Sequence, residues 1–249
     1  MIFLILLLFL TNFCSEKEND SILGVAKQYL STPYVANTLE VSDEERLIVN
    51  QEEVDCTTFV EYVLAEYLAN DSVSFEGLLQ SLRYREGKIK GYTSRLHYFS
   101  EWVQQAINNN YLMDITKKNS SFNEPLDLHY MSTHFNSYVR LKDGRVKLID
   151  EIKQIEKTLF GKEVYYLPKE YIPNEGLDWI ANGDIIALTT LIDGLDVSHL
   201  GFAIYVDGEL RLLHASSVHK KVIIDSLSLK KSLAKNKNNK GIRVFRVQR

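Results

Sequence analysis

Hydrophobic residues recur with a helical period through the first half of the chain. The clearest case runs from Asp55 to Ala69, whose apolar face consists of Phe59, Val60, Val63, Leu64, Tyr67 and Leu68. Side chains three and four positions apart share one face of a helix, so this pattern predicts a long amphipathic helix. Asp55 or Thr57 can accept hydrogen bonds from its free N–H groups. Cys56 is therefore predicted to lie in the first turn.

Shorter segments show the same period, and helices are also predicted at residues 20–30, 74–85 and 96–109. Asp20 or Ser21 can cap the first of these helices, and Pro33 ends it because proline cannot continue a helix. Residues 122–136 show no clear period and are predicted to be irregular.

The second half of the chain changes to strand-like patterns. Apolar or alternating runs occur at residues 184–190, 199–206, 209–216, 220–225 and 241–249. Asp207 and Gly208, between two of these runs, predict a β-hairpin with a two-residue turn. Helices followed by strands indicate an α+β fold, in which an antiparallel sheet packs against helices. No linker-like composition interrupts residues 20–249, which are predicted to form a single domain.

The predicted hairpin brings two histidines together. A two-residue turn fixes the strand register and places His214 opposite Gly201. His199 lies two positions before Gly201, so the two imidazoles share a face and are diagonal neighbours, with backbones about 7–8 Å apart. Gly201 leaves room for the ring of His214. A three-residue turn would shift the register by one position and put the rings on opposite faces.

Composition and charge exclude some classes of protein. The 249 residues include 29 Lys and Arg against 33 Asp and Glu, and both signs are scattered along the chain. A nucleic-acid-binding protein would need a basic face or stripe, so we expect no nucleic-acid partner. No glycine-rich phosphate-binding loop is present.

The first residues, MIFLILLLFLTNFC, form an apolar run that is shorter than the roughly 20 residues needed to span a bilayer. The run fits the apolar core of a secretory signal. We assign residues 1–19 to a signal peptide and possible lipoprotein tether. The run resembles a bacterial lipoprotein signal, in which Cys14 becomes the lipidated first residue; the alternative is an ordinary signal peptide cut near Cys14. The protein is thus expected to be exported, as a periplasmic protein or a membrane-anchored lipoprotein.

The chain contains two cysteines, Cys14 and Cys56. If Cys14 is lipidated or removed with the signal, Cys56 is the one free thiol of the mature protein. It then has no intramolecular disulfide partner. At a helix start, thiol pKa values fall from about 8.5 to between about 3.5 and 7.5, because free N–H groups favour the thiolate. Such a thiolate is a nucleophile, and the same N–H groups can bind an oxyanion. The alternative is a buried cysteine that acts as a small hydrophobic residue.

His199 and His214 are the candidate proton-transfer partners of this thiol. A zinc site is the rival chemistry for cysteine with histidine, but the local Cys-x-x-Cys and His-x-x-x-His spacings of such sites are absent, so no metal is expected. One further histidine lies in an aromatic stretch, RLHYFSEW. The histidines interpreted as structural or solvated are His97, His129, His134 and His219.

Three segments, DCTTFVE, SHLGFAIYVDGELRLLHAS and TPYVANTLE, resemble the NlpC-type cell-wall cysteine peptidases of the papain-like superfamily. The resemblance implies that Cys56 is the nucleophile, His199 the base and His214 the residue that orients the base, with Tyr34 lining the substrate cleft. It also implies a papain-like fold, in which the nucleophile-bearing helix packs on an antiparallel sheet. The threonines after Cys56, together with RLHYFSEW and DVSHLGFA, resemble a narrower branch, the N-acetylmuramoyl-L-alanine amidase-like proteins.

This resemblance implies an exported cysteine amidase that hydrolyses the N-acetylmuramoyl-L-alanine bond of peptidoglycan fragments, with no cofactor. Asp55 is expected to cap the helix rather than to take part in the chemistry. Two alternatives stay open. One is an endopeptidase that cuts the stem peptide between D-glutamate and the diamino acid. The other is a non-catalytic module that binds muropeptides.

Overall fold

The computed structural model describes residues 21–142 and 145–249. Its α-helices are α1 (Ile22–Gln28), α2 (Cys56–Leu68), α3 (Phe75–Arg83), α4 (Phe99–Asn108), α5 (Thr116–Asn119), α6 (Tyr130–Thr133), α7 (Val146–Leu159) and α8 (Leu229–Ala234). Its strands are β1 (Leu112–Asp114), β2 (Asn123–Pro125), β3 (Glu163–Tyr165), β4 (Leu167–Pro168), β5 (Ile185–Thr190), β6 (Val197–Val206), β7 (Glu209–Ser216), β8 (Lys221–Ile224) and β9 (Asn239–Val247).

The main sheet has the strand order β1-β9-β5-β6-β7-β8, and β4 pairs with β9 as well. Each of these pairings is antiparallel, and β2 and β3 form a small separate antiparallel sheet. The predicted α+β class with an antiparallel sheet and packed helices is therefore confirmed. The sequence analysis missed β1 and β4, because a strand of three or two residues carries too few positions for an alternating pattern.

The hairpin between β6 and β7 has the predicted register. Asp207 and Gly208 have φ values of 52° and 76°, the left-handed conformation that a type I′ turn requires at both positions. Val206 faces Glu209 across this turn, and the paired region continues to Phe202 opposite Leu213. His199 lies beyond that paired region on β6 and pairs instead with Leu188 of β5.

Helix α2 packs its apolar face on the sheet. The side chains of Phe59, Val60 and Val63 are fully buried in a core that also contains residues of β5, β6 and β7. The ring of Phe59 meets that of Phe202 edge to face, with centroids 5.6 Å apart. Burial of one such aromatic side chain stabilises the fold by about 1.5–3 kcal/mol. This packing fixes the helix start relative to the strands that carry the histidines.

Two buried arginines hold the long segment that precedes α2. Arg83 pairs with Glu61 of α2 at 2.8 Å and donates from Nη1 to the carbonyl of Ile48 at 2.5 Å. Arg95 pairs with Glu40 at 2.6 Å. A buried charge left without its partner is strongly destabilising, so these pairs tie the segment to the helical layer.

The remaining predictions are met in part. The segment 122–136 is less irregular than predicted, because it contains the short elements β2 and α6. The proposed signal at residues 1–19, which includes Cys14, lies outside the described residues. So do the candidate helix cap Asp20 and the two residues Asp143 and Gly144. Over residues 21–142 and 145–249, none of the helices combines the length and apolar character needed to cross a bilayer.

Candidate active site

Helix α2 starts at Cys56 because Asp55 caps it. The Asp55 carboxylate accepts hydrogen bonds from the N–H groups of Thr57 and Thr58 at 3.0 and 2.8 Å. The Thr58 hydroxyl in turn accepts from the Asp55 N–H at 2.9 Å, which completes a capping box. The expectation that Asp55 caps the helix is confirmed, and Cys56 occupies the first helical position.

Cys56 and His199 line the same cavity, whose volume is about 120 Å³. One wall comes from the start of α2, a second from the residues before and within α4, and a third from the start of β6 and the loop before it. The lining residues are Cys56, Thr57, Leu96, His97, Phe99, Trp102, Leu195, Asp196, Val197, Ser198, His199 and Leu200.

The two predicted histidines are in direct contact. Nε2 of His199 lies 2.6 Å from Nδ1 of His214, and the rings meet edge to face with centroids 4.8 Å apart. A Cβ atom on Gly201 would lie 2.8 Å from the Cβ of His214, so this position has no room for a side chain. Because Nε2 of His199 contacts His214, Nδ1 is the ring nitrogen that is available to exchange a proton with Cys56.

Both imidazoles are enclosed, and burial disfavours their charged forms. Burial lowers the pKa of His199 to about 3, and the neighbouring His214 ring lowers it further, whereas Asp225 opposes the shift. Burial lowers the pKa of His214 to about 4, and Asp225 again opposes the shift. Near neutral pH both rings are therefore neutral, which leaves each with one donor and one acceptor nitrogen.

The thiol of Cys56 departs from the expected low pKa. The residue as a whole is partly exposed, but its sulfur is enclosed, and burial raises the pKa of the thiol to about 12, with Asp55 adding to the rise. Hydrogen bonds from the Thr57 side chain and from the backbone N–H groups of Leu200 and Cys56 favour the thiolate but are outweighed. Near neutral pH the cavity is thus lined by a thiol and a neutral imidazole.

Tyr34 lies next to the helix start without lining the cavity. Its N–H donates to the carbonyl of Lys220 at 2.9 Å, and it bridges to Val54 just before α2. Burial raises the pKa of the Tyr34 phenol to about 12, and Cys56 and Asp55 are close enough to raise it further. The structure therefore brings Tyr34 close to Cys56 without making it part of the cavity wall.

Among the cavity-lining residues that the sequence analysis did not select as site residues, two are ionisable, His97 and Asp196. His97 was interpreted as structural, yet its ring lines the cavity, held by a 3.0 Å contact between Nε2 and the Tyr92 carbonyl. Asp196 lines the cavity as well, and its carboxylate accepts from the N–H groups of Ser100 and Val197 at 2.7 and 2.9 Å. The available signals were the aromatic stretch around His97 and, for Asp196, its place at the start of the segment DVSHLGFA.

The remaining histidines are engaged elsewhere. His134 stacks on Tyr130 with ring centroids 4.2 Å apart, and Nδ1 of His219 lies 3.1 Å from the Ser216 hydroxyl. Within the described part of the chain, His, Cys, Asp and Glu side chains form no group of three that could hold a metal ion. A thiol with an oriented imidazole, in contrast, can carry out nucleophilic acyl transfer.

Comparison with known proteins gives a consistent family description. A model described as AmiA-like, N-acetylmuramoyl-L-alanine amidase-like, matches residues 24–242. An N-acetylmuramoyl-L-alanine amidase from Bacteroides uniformis ATCC 8492 is 46% identical, with a TM-score of 0.90 over 94% of this chain and 100% of that one. A Bacteroides fragilis protein, described as a proposed xylanase, is 50% identical, with a TM-score of 0.87 over 90% of this chain and 100% of that one.

A more distant structure comes from Legionella pneumophila and belongs to the family model DUF1460. It is 25% identical, with a TM-score of 0.71 over 95% of this chain and 92% of that one. No curated protein matches the chain. The family match spans every residue that lines the cavity, from Cys56 to Leu200, and also His214 on β7.

Proposed function

The chain belongs to the AmiA-like family of N-acetylmuramoyl-L-alanine amidase-like proteins, and from this membership we propose that it is an exported cysteine amidase. Its substrates would be peptidoglycan fragments, and the bond cleaved the amide between the lactyl group of N-acetylmuramic acid and L-alanine. The observation that carries the proposal is the cavity shared by Cys56 and His199, with His199 held by His214 at 2.6 Å.

The chemistry follows from the tautomers. If Nδ1 of His199 is to accept the thiol proton, its Nε2–H must donate to Nδ1 of His214. Sγ of Cys56 then attacks the amide carbon while the proton passes to His199. The resulting imidazolium keeps the same hydrogen bond to His214. His214 thus fixes both the orientation and the tautomer of the base, as the third member of a catalytic triad does.

The second half of the reaction reverses the proton transfer. When the tetrahedral intermediate collapses, its C–N bond breaks, and His199 gives its proton to the departing L-alanyl amine. The lactyl group is left as a thioester on Cys56. A water molecule gives a proton to His199 and attacks the thioester, which releases the lactyl carboxylate and restores the thiol.

The oxyanion of these intermediates has donors at the helix start. Asp55 occupies the N–H groups of Thr57 and Thr58, whereas the N–H of Cys56 hydrogen-bonds at its own sulfur. The N–H of Leu200 reaches the same sulfur from β6. Backbone donors of this kind stabilise an oxyanion without reorganisation. A nucleophile at a helix start beside an antiparallel sheet supports placement in the papain-like, NlpC-type superfamily.

The xylanase description of the Bacteroides fragilis neighbour suggests glycoside hydrolysis as a second candidate. Glycosidases of the usual type need a pair of carboxylates flanking the bond. Asp196 is the carboxylate among the cavity-lining residues of this structure, and two backbone N–H groups already hold it. The cavity therefore favours acyl transfer over glycoside hydrolysis.

Product analysis tests the proposed reaction. We expect incubation with N-acetylmuramoyl-L-alanyl-D-glutamyl-diamino acid fragments to yield the free lactyl sugar and an intact peptide, identified by mass spectrometry. Cleavage after D-glutamate would establish the endopeptidase instead. Fragments that bind but stay intact would indicate a muropeptide-binding module.

We propose export because residues 2–10 form an apolar run typical of a secretory signal. We propose lipidation because Cys14 follows this run, as the lipidated cysteine does in a lipoprotein signal. We expect the native protein to partition into the detergent phase, because two or more acyl chains give stable membrane anchoring at about 0.8 kcal/mol per buried CH₂. The matched Cys14→Ala variant should move to the aqueous phase. Aqueous partitioning of both forms would contradict lipidation and leave a soluble exported enzyme.

A further inference from the structure

Arg243 is a buried cation on the central strand β9. Its side chain is 5% exposed and lies above the rings of Phe99 and Phe245, with the guanidinium carbon 5.8 and 5.1 Å from the two centroids. Nη1 donates to the hydroxyl of Ser100 at 2.8 Å. Phe99 also lines the catalytic cavity, so Arg243 stands directly behind one of its walls.

This guanidinium lacks a counter-ion. Over the described ranges, no carboxylate oxygen lies within 4.0 Å of Arg243, and its buried Nε has no hydrogen-bond partner. Two other buried arginines, Arg83 and Arg95, are paired with carboxylates at 2.8 and 2.6 Å. Burial lowers the pKa of Arg243, whereas the charges of Asp114, Asp196 and Glu124 oppose the shift without a salt bridge to it; the guanidinium stays charged. A buried, unpaired cation is costly, which suggests that its partner arrives with a ligand.

Arg243 lines two further cavities, of about 230 and 260 Å³. The first of them shares Leu195 and Asp196 with the catalytic cavity, and it shares Leu126 and Val164 with the second. The three cavities therefore form a series of neighbours with shared wall residues, from Cys56 past Asp196 to Arg243.

The acidic residues along this series are already satisfied or lie at the surface. Backbone N–H groups hold Asp196, as described above, and Glu124 is paired with Lys240. Asp127 and Asp193, which also line the first of these cavities, are exposed to solvent, and so is Glu163 of the second. Asp114, which lines the second cavity, accepts hydrogen bonds from the N–H groups of Thr116 and Lys117 at 2.9 and 3.2 Å. Arg243 is thus the buried charge that a ligand could still neutralise.

We propose that Arg243 forms an anion subsite that binds a carboxylate of the stem peptide, which rests on the proposed amidase function. While the scissile amide is intact, the muramoyl lactyl group carries no free carboxylate, so the anionic part of the substrate is its peptide. The peptide then extends past Asp196 to Arg243.

The test compares two N-acetylmuramoyl-L-alanyl-D-glutamate substrates, one with free carboxylates and one with both carboxylates amidated. We expect the wild type to favour the acid in kcat/KM by about 10- to 100-fold, the range of a charged hydrogen bond. Arg243→Met should remove this preference by lowering kcat/KM for the acid alone, mainly through KM. Arg243→Lys should keep part of the preference, because it keeps the charge.

Ser100→Ala is the matched control, since it removes a contact of Arg243 but not the charge. It should retain the preference for the acid. A wild type that cleaves both substrates equally well would overturn the subsite and leave the amidase proposal intact. An Arg243→Met variant that lowers kcat/KM equally for both substrates would also overturn it, because that result indicates a structural role.

A wild type that cleaves neither substrate would contradict the proposed function, and the subsite is then judged by binding. Isothermal titration of L-alanyl-D-glutamate into the full-length Cys56→Ala protein should give an affinity that falls about 10- to 100-fold in the Cys56→Ala, Arg243→Met double variant. Equal affinities, or no binding to either protein, would overturn the subsite.

Discussion

Replacing Cys56 with alanine is expected to abolish hydrolysis of muramoyl peptides while the protein stays folded. Loss of a catalytic nucleophile lowers kcat on the order of 10⁴-fold or more, because no other side chain can form the covalent intermediate. Cys56 sits at the helix start that Asp55 caps, and it is partly exposed. The substitution removes one sulfur and leaves the cap intact, so the thermal midpoint should change little. Rates from product formation and a thermal unfolding curve check both expectations.

Thr57→Ala is a suitable control, because Thr57 is exposed, neighbours the thiol and keeps its backbone contact to Asp55. It should retain most of the activity, since its hydroxyl is one of several donors to the sulfur. A folded Cys56→Ala protein that still turns over would refute the covalent mechanism. Stoichiometric zinc found by elemental analysis would favour the rival metal chemistry.

The sequence predicts the parts of this site that depend on local rules. The type I′ turn at Asp207-Gly208 fixes the hairpin register, and the register brings His199 and His214 together. The start of α2 depends on the cap formed by Asp55, which is also a local feature. Each of these predictions concerns residues that are close in sequence or joined by one short turn.

The cavity walls could not be predicted, because they depend on packing between distant segments. Asp196 reaches its position by accepting a hydrogen bond from Ser100, which lies 96 positions earlier in the chain. His97 lines the cavity because residues 195–200, about 100 positions later in the chain, form the opposite wall; the contact of its ring with the carbonyl of Tyr92 is local. Neither contact leaves a periodic pattern in the sequence.

The expected thiol pKa was wrong for a related reason. A helix start favours the thiolate, but the enclosure of the sulfur favours the neutral thiol, and burial wins. The extent of burial is a property of the whole fold, which the local sequence around Cys56 does not reveal. The consequence is that the proton of Cys56 must move during the attack rather than before it, which makes the base more important.

The second large effect is therefore expected at His199. His199→Ala should lower kcat nearly as far as loss of the nucleophile. The fall in kcat caused by His214→Ala should be about 10- to 100-fold smaller, because an imidazole that is no longer held in place still accepts a proton part of the time. His214→Asn should recover part of that loss, since its amide oxygen can accept the hydrogen bond from Nε2 of His199. Rates for the three variants, compared at equal fractions folded, give the order.

The dependence of kcat/KM on pH distinguishes a His214 that acts on the base His199 from a His214 that only packs against it. The base must be neutral, so activity is lost as pH falls through the pKa of His199, which burial and His214 lower to about 3. In the wild type, kcat/KM should hold well below pH 6.5, the ordinary histidine value. His214→Ala removes a neighbour that lowers this pKa and opens the ring to water, so its acid limb should move to higher pH. An unmoved limb would contradict the influence of His214 on the pKa of His199 and indicate that His214 only packs against it. A larger loss of kcat in His214→Ala than in His199→Ala would show that the base and the orienting residue are assigned the wrong way round.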